Sequence, residues 1–135
     1  MNTAIAVKAF IVNESKEILV LQRRTDDVHA AGRWDIPGGR LDTGENPFTG
    51  LSREVIEEAA LDIEIIAPLQ INYFTRDDGQ IITMLLFLCH AKSFEVQISE
   101  EHNQFKWIPL QSVREFLGPE FHDTIEAYEK NFVKE

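Results

Sequence analysis

Residues 45 to 58 carry four glutamates and one arginine at spacings that could bind a metal ion. On a helix of 3.6 residues per turn, Glu54, Glu57 and Glu58 fall within about 100° of one another. The apolar residues of the same stretch point mostly away from them. Like charges about 6 Å apart repel by roughly 3 kcal/mol at an effective dielectric of 20. A hard, oxygen-seeking cation such as Mg²⁺ or Mn²⁺ held between the carboxylates would relieve this repulsion.

An ordinary solvated helix face would also explain a run of glutamates, so the spacing of the neighbouring residues decides between the two interpretations. Six identities stand at fixed distances and are followed by an aliphatic residue: Gly39, Glu45, Arg53, Glu54, Glu57, Glu58 and then Leu61. At about 6% usage per residue type, such a set arises by chance roughly once in 10⁷ to 10⁸ registers. The segment from Gly39 to Leu61 resembles the box of the Nudix hydrolases, the MutT-like family that cleaves nucleoside diphosphates linked to another moiety.

One position of the box departs from the family pattern. Ala60 stands where the family has glycine. A helix-ending glycine often adopts left-handed geometry, which costs alanine about 1 kcal/mol. The sequence therefore predicts either local strain at Ala60 or a helix that ends in another way.

The resemblance implies a metal-dependent active site and assigns its residues. The metal would be Mg²⁺, with Mn²⁺ as a substitute. The ligands implied are the carboxylates of Glu54, Glu57 and Glu58 and a backbone carbonyl of Gly38 or Gly39. Arg53 would orient the acidic row, and Glu45 would brace the preceding loop against the helix.

The reaction implied is attack of an activated water on a phosphorus of a diphosphate, without a covalent enzyme intermediate. A general base for that water should be a carboxylate within hydrogen-bond reach. Glu54 is one candidate. The later segment "SEEHNQFKW" supplies two more, Glu100 and Glu101, of which we favour Glu101.

Arginines and aromatic residues near the box are candidates for substrate contacts. Arg23 and Arg24 end a predicted strand, where a guanidinium could bind a phosphate or a base edge; solvated surface charge explains them equally well. Tyr73 and Phe74 could stack on a base, but aromatic residues in strands are more often core. For Trp34 we expect packing beneath the loop rather than base stacking.

The histidines and the cysteine do not point to other chemistry. His29, His90, His102 and His122 show no pairing at metal-ligand spacing, which argues against zinc. The single cysteine, Cys89, lies in an apolar run and is expected to be a small buried hydrophobe.

The elements that must hold these residues follow from periodicity and turn signals. Asn46 is the predicted N-cap of a helix that has Pro47 at its first position and ends near residue 60. Hairpins are predicted across "NESKE" and "RDDG", a final strand in "FKWIPL", and an amphipathic helix near the C-terminus. The apolar run from Ile81 to Cys89 predicts a strand covered on both faces. The expected fold is a Nudix-like α/β/α sandwich with a central mixed sheet, in one domain of residues 1–135.

The charge and hydropathy of the chain limit its partners. Thirteen basic and twenty-three acidic side chains give a net charge of −10, which opposes binding to nucleic acid polymers and anionic membranes. No stretch approaches the roughly eighteen uninterrupted apolar residues of a membrane span, and the N-terminus lacks a signal-peptide pattern. We therefore expect a cytoplasmic protein with a small-molecule nucleotide substrate. The oligomeric state stays open, with a homodimer among the alternatives.

The leading hypothesis is a Mg²⁺-dependent pyrophosphohydrolase that converts a nucleoside triphosphate to the monophosphate and pyrophosphate. The alternative substrates are a nucleotide sugar, ADP-ribose or a pterin triphosphate, and "SEEHNQFKW" is similar to the last group. An alternative of another class is a non-catalytic nucleotide-binding regulatory module. The intact acidic set argues against that module, because it has no need for every metal ligand.

Overall fold

The computed structural model describes residues 2–26, 31–93 and 95–133, so His29 lies outside the described residues. The strands are β1 (Thr3–Val12), β2 (Glu17–Arg23), β3 (Trp34–Asp35), β4 (Gly38–Arg40), β5 (Ile63–Thr75), β6 (Ile81–Ala91) and β7 (His102–Pro109). The helices are α1 (Pro47–Ala59) and α2 (His122–Phe132), with 3₁₀ turns at Leu110–Glu115 and Pro119–Phe121. Within the described ranges, no helix combines the length and apolarity that a membrane crossing requires.

Within the described part of the chain, seven strands form one mixed sheet. The strand order is β3-β2-β1-β6-β5, with β4 paired to β1 and β7 paired to β2. β1 and β6 run parallel, and the other pairings are antiparallel. Both predicted hairpins form, because β1 pairs with β2 and β5 pairs with β6. The predicted mixed sheet is confirmed.

Side chains of β1 alternate between two hydrophobic cores, because successive strand residues point to opposite faces. Val7, Ala9 and Ile11 join the core that contains the apolar residues of α1. Phe10 and Val12 join the core that contains the apolar residues of α2. The sheet is therefore covered by a helix on each face, as the predicted α/β/α sandwich requires.

The apolar run of β6 serves both cores, as predicted. Phe87 and Cys89 belong to the core on the α1 side, and Leu86 and Leu88 belong to the core on the α2 side. Cys89 is fully buried, and burial raises the pKa of its thiol to about 12. A thiol that stays protonated at neutral pH is a poor nucleophile, in agreement with the structural role expected for Cys89.

The aromatic residues at the end of β5 are not core. Tyr73 is 73% exposed and Phe74 is 40% exposed, so the expectation of core packing is wrong for both. β5 is the edge strand of the sheet, and its last residues have a strand neighbour on one side only. Trp34 packs as expected, with its ring edge-on to Phe116 at 5.3 Å between centroids.

Candidate active site

Helix α1 begins where its sequence predicts. The Asn46 side chain accepts hydrogen bonds from the backbone N–H groups of Phe48 and Thr49, which satisfies donors that the first helical turn leaves unpaired. Pro47 occupies the first helical position, where a missing N–H is not needed. Three fully buried residues anchor the helix on the sheet: Leu51, Val55 and Ala59.

The end of α1 adopts the conformation that a glycine would favour. Ala60 has φ 56° and ψ 30°, in the left-handed region, and its backbone N–H donates to the carbonyl of Ile56. Of the two alternatives that the sequence leaves open, strain at Ala60 is therefore the correct one. The helix keeps the end that the family pattern implies, at the cost of a left-handed alanine.

The bend at Pro37 and the two glycines that begin β4, here called the glycine turn, face the acidic side of α1. Gly38 has φ +146°, and a Cβ on it would lie 2.0 Å from the carbonyl oxygen of Val7. A Cβ on Gly39 would lie 2.9 Å from the carboxylate of Glu54. Only glycine therefore allows the backbone of this turn to fit between β1 and the carboxylates.

Glu58 is the most buried member of the acidic row, with 5% of its surface exposed. Its Oε2 accepts a hydrogen bond of 3.0 Å from the backbone N–H of Gly38. Burial raises the pKa of Glu58 to about 8, and the charges of Glu54 and Glu101 act in the same direction. The positive charge of Lys8 and the Gly38 N–H oppose the rise in this pKa without reversing it.

Glu54 lies one helical turn before Glu58, next to Gly39. Burial raises the pKa of Glu54 above its ordinary value, while the Arg53 charge and the neighbouring Glu58 carboxyl work against the rise. Burial thus favours the protonated form of both carboxyl groups in the metal-free protein, and a divalent cation that binds them would have to displace such protons.

Glu57 lies on the exposed side of the row. Its side chain is 58% exposed and forms an ion pair with Arg53, 3.3 Å away. Arg53 also donates two hydrogen bonds to the carboxylate of Glu45, at 2.7 and 2.8 Å, and these lower the pKa of Glu45 to about 2. Glu45 in turn accepts from the backbone N–H of Asp42. Arg53 thus links the acidic row to the loop before α1.

Backbone hydrogen bonds bring the segment before β7 to the end of α1. The N–H of Gln97 donates to the carbonyl of Ala59, and the N–H of Ser99 donates to the carbonyl of Glu58. The same segment also contacts the residue after β2, because the N–H of Arg24 donates to the carbonyl of Glu101 at 3.3 Å. These bonds place Glu101 beside the acidic residues of α1, and its role as the base stays a prediction.

His102 is a residue of the site that sequence reasoning missed. It is 8% exposed, and its Nε2 lies 3.7 Å from Oε1 of Glu58. One ligand atom from each of Glu58, Glu101 and His102 falls within a cluster whose atoms are all within 4.8 Å of one another. Spacing along the chain cannot reveal this pairing, because its members come from different elements. The position of His102 next to Glu101 was the available signal.

Arg23 and Arg24, the predicted substrate contacts, both have partners inside the protein. Arg23 donates to the carboxylate of Asp35 at 3.2 Å. Arg24 donates to both carboxylate oxygens of Asp26, at 2.9 and 3.0 Å, and to the carbonyl of Glu100 at 3.1 Å. These bonds give Arg24 a structural role in holding the segment that carries Glu101. Contact of either arginine with substrate stays a prediction.

A buried ion pair lies behind the glycine turn and was not predicted. Lys8 on β1 is 5% exposed, and its Nζ lies 3.0 Å from Oδ2 of Asp35. Although burial favours the neutral acid, the charges of Lys8 and Arg23 hold the pKa of Asp35 below its ordinary value. A lone lysine in the apolar run "AIAVKAFIV" was the only signal of this pair in the sequence.

The donor chemistry of the site fits a hard divalent cation. The predicted residues that converge are Gly38, Gly39, Glu54, Glu58 and Glu101, and they offer carboxylate and carbonyl oxygens, the ligands that Mg²⁺ and Mn²⁺ prefer. The space next to Gly39 is kept open by the absence of a side chain. Glu57 lies outside this convergence, held by Arg53 on the exposed side.

Comparisons with known proteins identify the family of the chain. The NUDIX domain family model matches residues 2–128. "Nudix hydrolase 5" of Arabidopsis thaliana is 30% identical over 122 residues, which cover 88% of this chain and 39% of that protein. The chain thus spans about two fifths of the length of this curated relative. A "MutT-like protein" of Streptomyces ambofaciens is 29% identical over 115 residues, covering 85% of this chain and 70% of that protein.

The fold has close counterparts among solved structures. The MutT protein of Methanosarcina mazei Go1 superposes with a TM-score of 0.86 at 28% identity, over 98% of this chain and 96% of that one. Because the NUDIX domain family model matches residues 2–128, nearly the whole chain, this chain belongs to the Nudix hydrolase family.

Proposed function

We propose that this protein is a Mg²⁺-dependent pyrophosphohydrolase that cleaves a diphosphate linkage in a small nucleotide, with a nucleoside triphosphate as the leading substrate. The products would be the nucleoside monophosphate and pyrophosphate. The observation that carries this proposal is the convergence of Glu54, Glu58 and Glu101 on the turn at Gly38. Membership of the Nudix hydrolase family supports the reaction class.

In this proposal, some residues of the site hold the cation and others keep the acidic side chains in place. Glu54, Glu58 and the carbonyl of Gly38 or Gly39 would hold the cation, with Glu57 as the further predicted ligand. When bound, such a cation supplies positive charge that neutralises the diphosphate and favours formation of the nucleophile from water. Arg53 keeps Glu57 and Glu45 in place through the ion pairs that it forms with both.

A carboxylate must accept the proton of the attacking water. As a new bond forms between the water oxygen and phosphorus, the bond from phosphorus to the bridging oxygen breaks, and the leaving group, either pyrophosphate or the nucleoside monophosphate, departs with that oxygen. Glu101 is the favoured base because it is exposed and lies beside the ligand atom of Glu58. Glu54 is the alternative base, next to Gly39 in the glycine turn.

The test is to incubate the protein with a panel of nucleoside triphosphates, nucleotide sugars and ADP-ribose in the presence of Mg²⁺ or Mn²⁺. The release of pyrophosphate or phosphate measures hydrolysis. We expect turnover of a nucleoside triphosphate that excess EDTA abolishes. Glu101→Gln should lower kcat by about 10²- to 10⁴-fold while leaving Mn²⁺ affinity nearly intact. Glu126→Gln, which changes an exposed glutamate of α2, is the matched control.

Three results would contradict the proposal in different ways. Full activity in excess EDTA would remove the cation from the reaction. Nucleotide binding without turnover of any panel member would indicate a regulatory module. A loss below tenfold in Glu101→Gln would return the role of base to Glu54.

A further inference from the structure

Lys8 is a buried cation in a strand that is otherwise apolar. It is 5% exposed, and its Cα partner across the β1–β4 pairing is Gly38. A buried ammonium group is costly unless it is paired and hydrogen-bonded. Lys8 therefore depends on specific partners, and those partners lie in the turn that leads to the candidate metal site.

The ammonium group of Lys8 and its partner Asp35 together fix the backbone of Ile36. Nζ of Lys8 donates to the carbonyl of Ile36 at 3.2 Å and to Oδ2 of Asp35 at 3.0 Å. Oδ1 of Asp35 accepts from the backbone N–H of Ile36 at 2.7 Å. Arg23 donates to Oδ2 of Asp35 at 3.2 Å. The N–H and the carbonyl of Ile36 are therefore both bound, two residues before the N–H that holds Glu58.

We propose that Lys8 is a positioning residue for the cation site: by binding Ile36 and Asp35, it fixes the turn so that the glycine carbonyls and Glu58 face the same point. This inference rests on the proposed function, since the site that Lys8 positions is the proposed cation site. The chain of contacts runs from Lys8 to the carbonyl of Ile36, along the turn to Gly38, and from the Gly38 N–H to Glu58.

A purely electrostatic role and a positioning role of Lys8 predict opposite effects on Mn²⁺ affinity when its ammonium group is removed. Lys8 is near enough for its charge to act on Glu58, so a purely electrostatic role makes it an obstacle to a divalent cation. On that basis Lys8→Met would bind Mn²⁺ more tightly. If Lys8 positions the turn, Lys8→Met binds Mn²⁺ about 10- to 100-fold more weakly, the usual effect of losing a group that orients metal ligands.

The experiment measures the Kd for Mn²⁺ alone, from the electron paramagnetic resonance signal of the free ion, in wild type, Lys8→Met and Lys8→Arg. Lys8→Arg keeps the charge but cannot reproduce the two bonds of the ammonium group, so it should also bind more weakly. Lys130→Met removes an exposed ammonium from α2 and serves as the control. Thermal melts in EDTA report whether each variant folds.

Each result decides the question. Weaker Mn²⁺ binding by folded Lys8→Met and Lys8→Arg supports positioning. Tighter binding by Lys8→Met, or wild-type affinity in both variants, overturns it. If Lys8→Met does not fold, Lys8→Arg decides alone. If wild type itself binds no Mn²⁺, the cation part of the proposed function fails, and this inference fails with it.

Discussion

Glu58 and Glu57 are neighbours in the acidic row, yet their surroundings differ. Glu57 is exposed and paired with Arg53, whereas Glu58 is buried and bound to the N–H of Gly38. On a helical wheel, Glu58 is one more like charge in a row of mutually repelling carboxylates. The structure adds that Glu58 has a partner in the turn and that burial raises its pKa to about 8.

This difference predicts how the stability of the metal-free protein depends on pH. The folded protein keeps the Glu58 proton up to about pH 8, whereas the ordinary pKa is 4.5. Between these values the folded state binds more protons than the unfolded chain, so the contribution of Glu58 to stability falls as pH rises. In Glu58→Gln the amide stays neutral at every pH, and its oxygen can accept the hydrogen bond from the Gly38 N–H.

We therefore expect Glu58→Gln to match wild type in EDTA near pH 5 and to become progressively more stable than wild type towards pH 8. The gain is at most about 1.4 kcal/mol per pH unit for one proton. Urea unfolding at a series of pH values measures it, with Glu64→Gln on the exposed face of β5 as control. A stability difference that is independent of pH would show that Glu58 does not carry this proton.

At the scale of the element, the end of α1 is built on a left-handed alanine. Ala60 is exposed, and its φ of 56° costs an L-residue about 1 to 2 kcal/mol. Glycine removes this cost but loses more conformational entropy on folding, which offsets about 0.4 to 1 kcal/mol. Ala60→Gly should therefore stabilise the protein by about 0.5 to 1 kcal/mol, measured as a higher urea midpoint.

Ala59→Gly is the matched control, since Ala59 is the last residue of the same helix and is fully buried. In right-handed helix, glycine costs about 1 kcal/mol relative to alanine. The two substitutions should thus shift the urea midpoint in opposite directions. If Ala60→Gly lowers the midpoint, the methyl group of Ala60 makes a contact that outweighs the strain.

Whole elements were predictable where local signals agree with the fold. The N-cap at Asn46, the proline at position 47 and the two covered faces of β6 all follow from residue order and periodicity. The burial of Glu58 was not predictable, because a helical wheel shows which side of α1 Glu58 faces but not the turn that covers it. Contacts between distant segments were also inaccessible: Lys8 with Asp35, and His102 with Glu58.

At the scale of the molecule, the candidate site joins three segments far apart in the chain. The turn at Gly38, helix α1 and the residues before β7 meet through Glu58 and Glu101. A cation held there would connect all three only in the folded state, so it would stabilise the fold by mass action. The net charge of −10 complicates the measurement, because any salt also screens repulsion between the acidic side chains.

Mg²⁺ should therefore stabilise the protein beyond the effect of NaCl at the same ionic strength. At a Mg²⁺ concentration of 100 Kd, the expected additional stabilisation is about 2.7 kcal/mol, measured by urea unfolding in matched buffers. The double variant Glu54→Gln/Glu58→Gln should lose this increment and keep its response to NaCl, because screening acts on the whole surface and binding acts on these carboxylates. Equal stabilisation of wild type by both salts would mean that Mg²⁺ acts by screening alone. An undiminished increment in the double variant would place the cation elsewhere on the acidic surface.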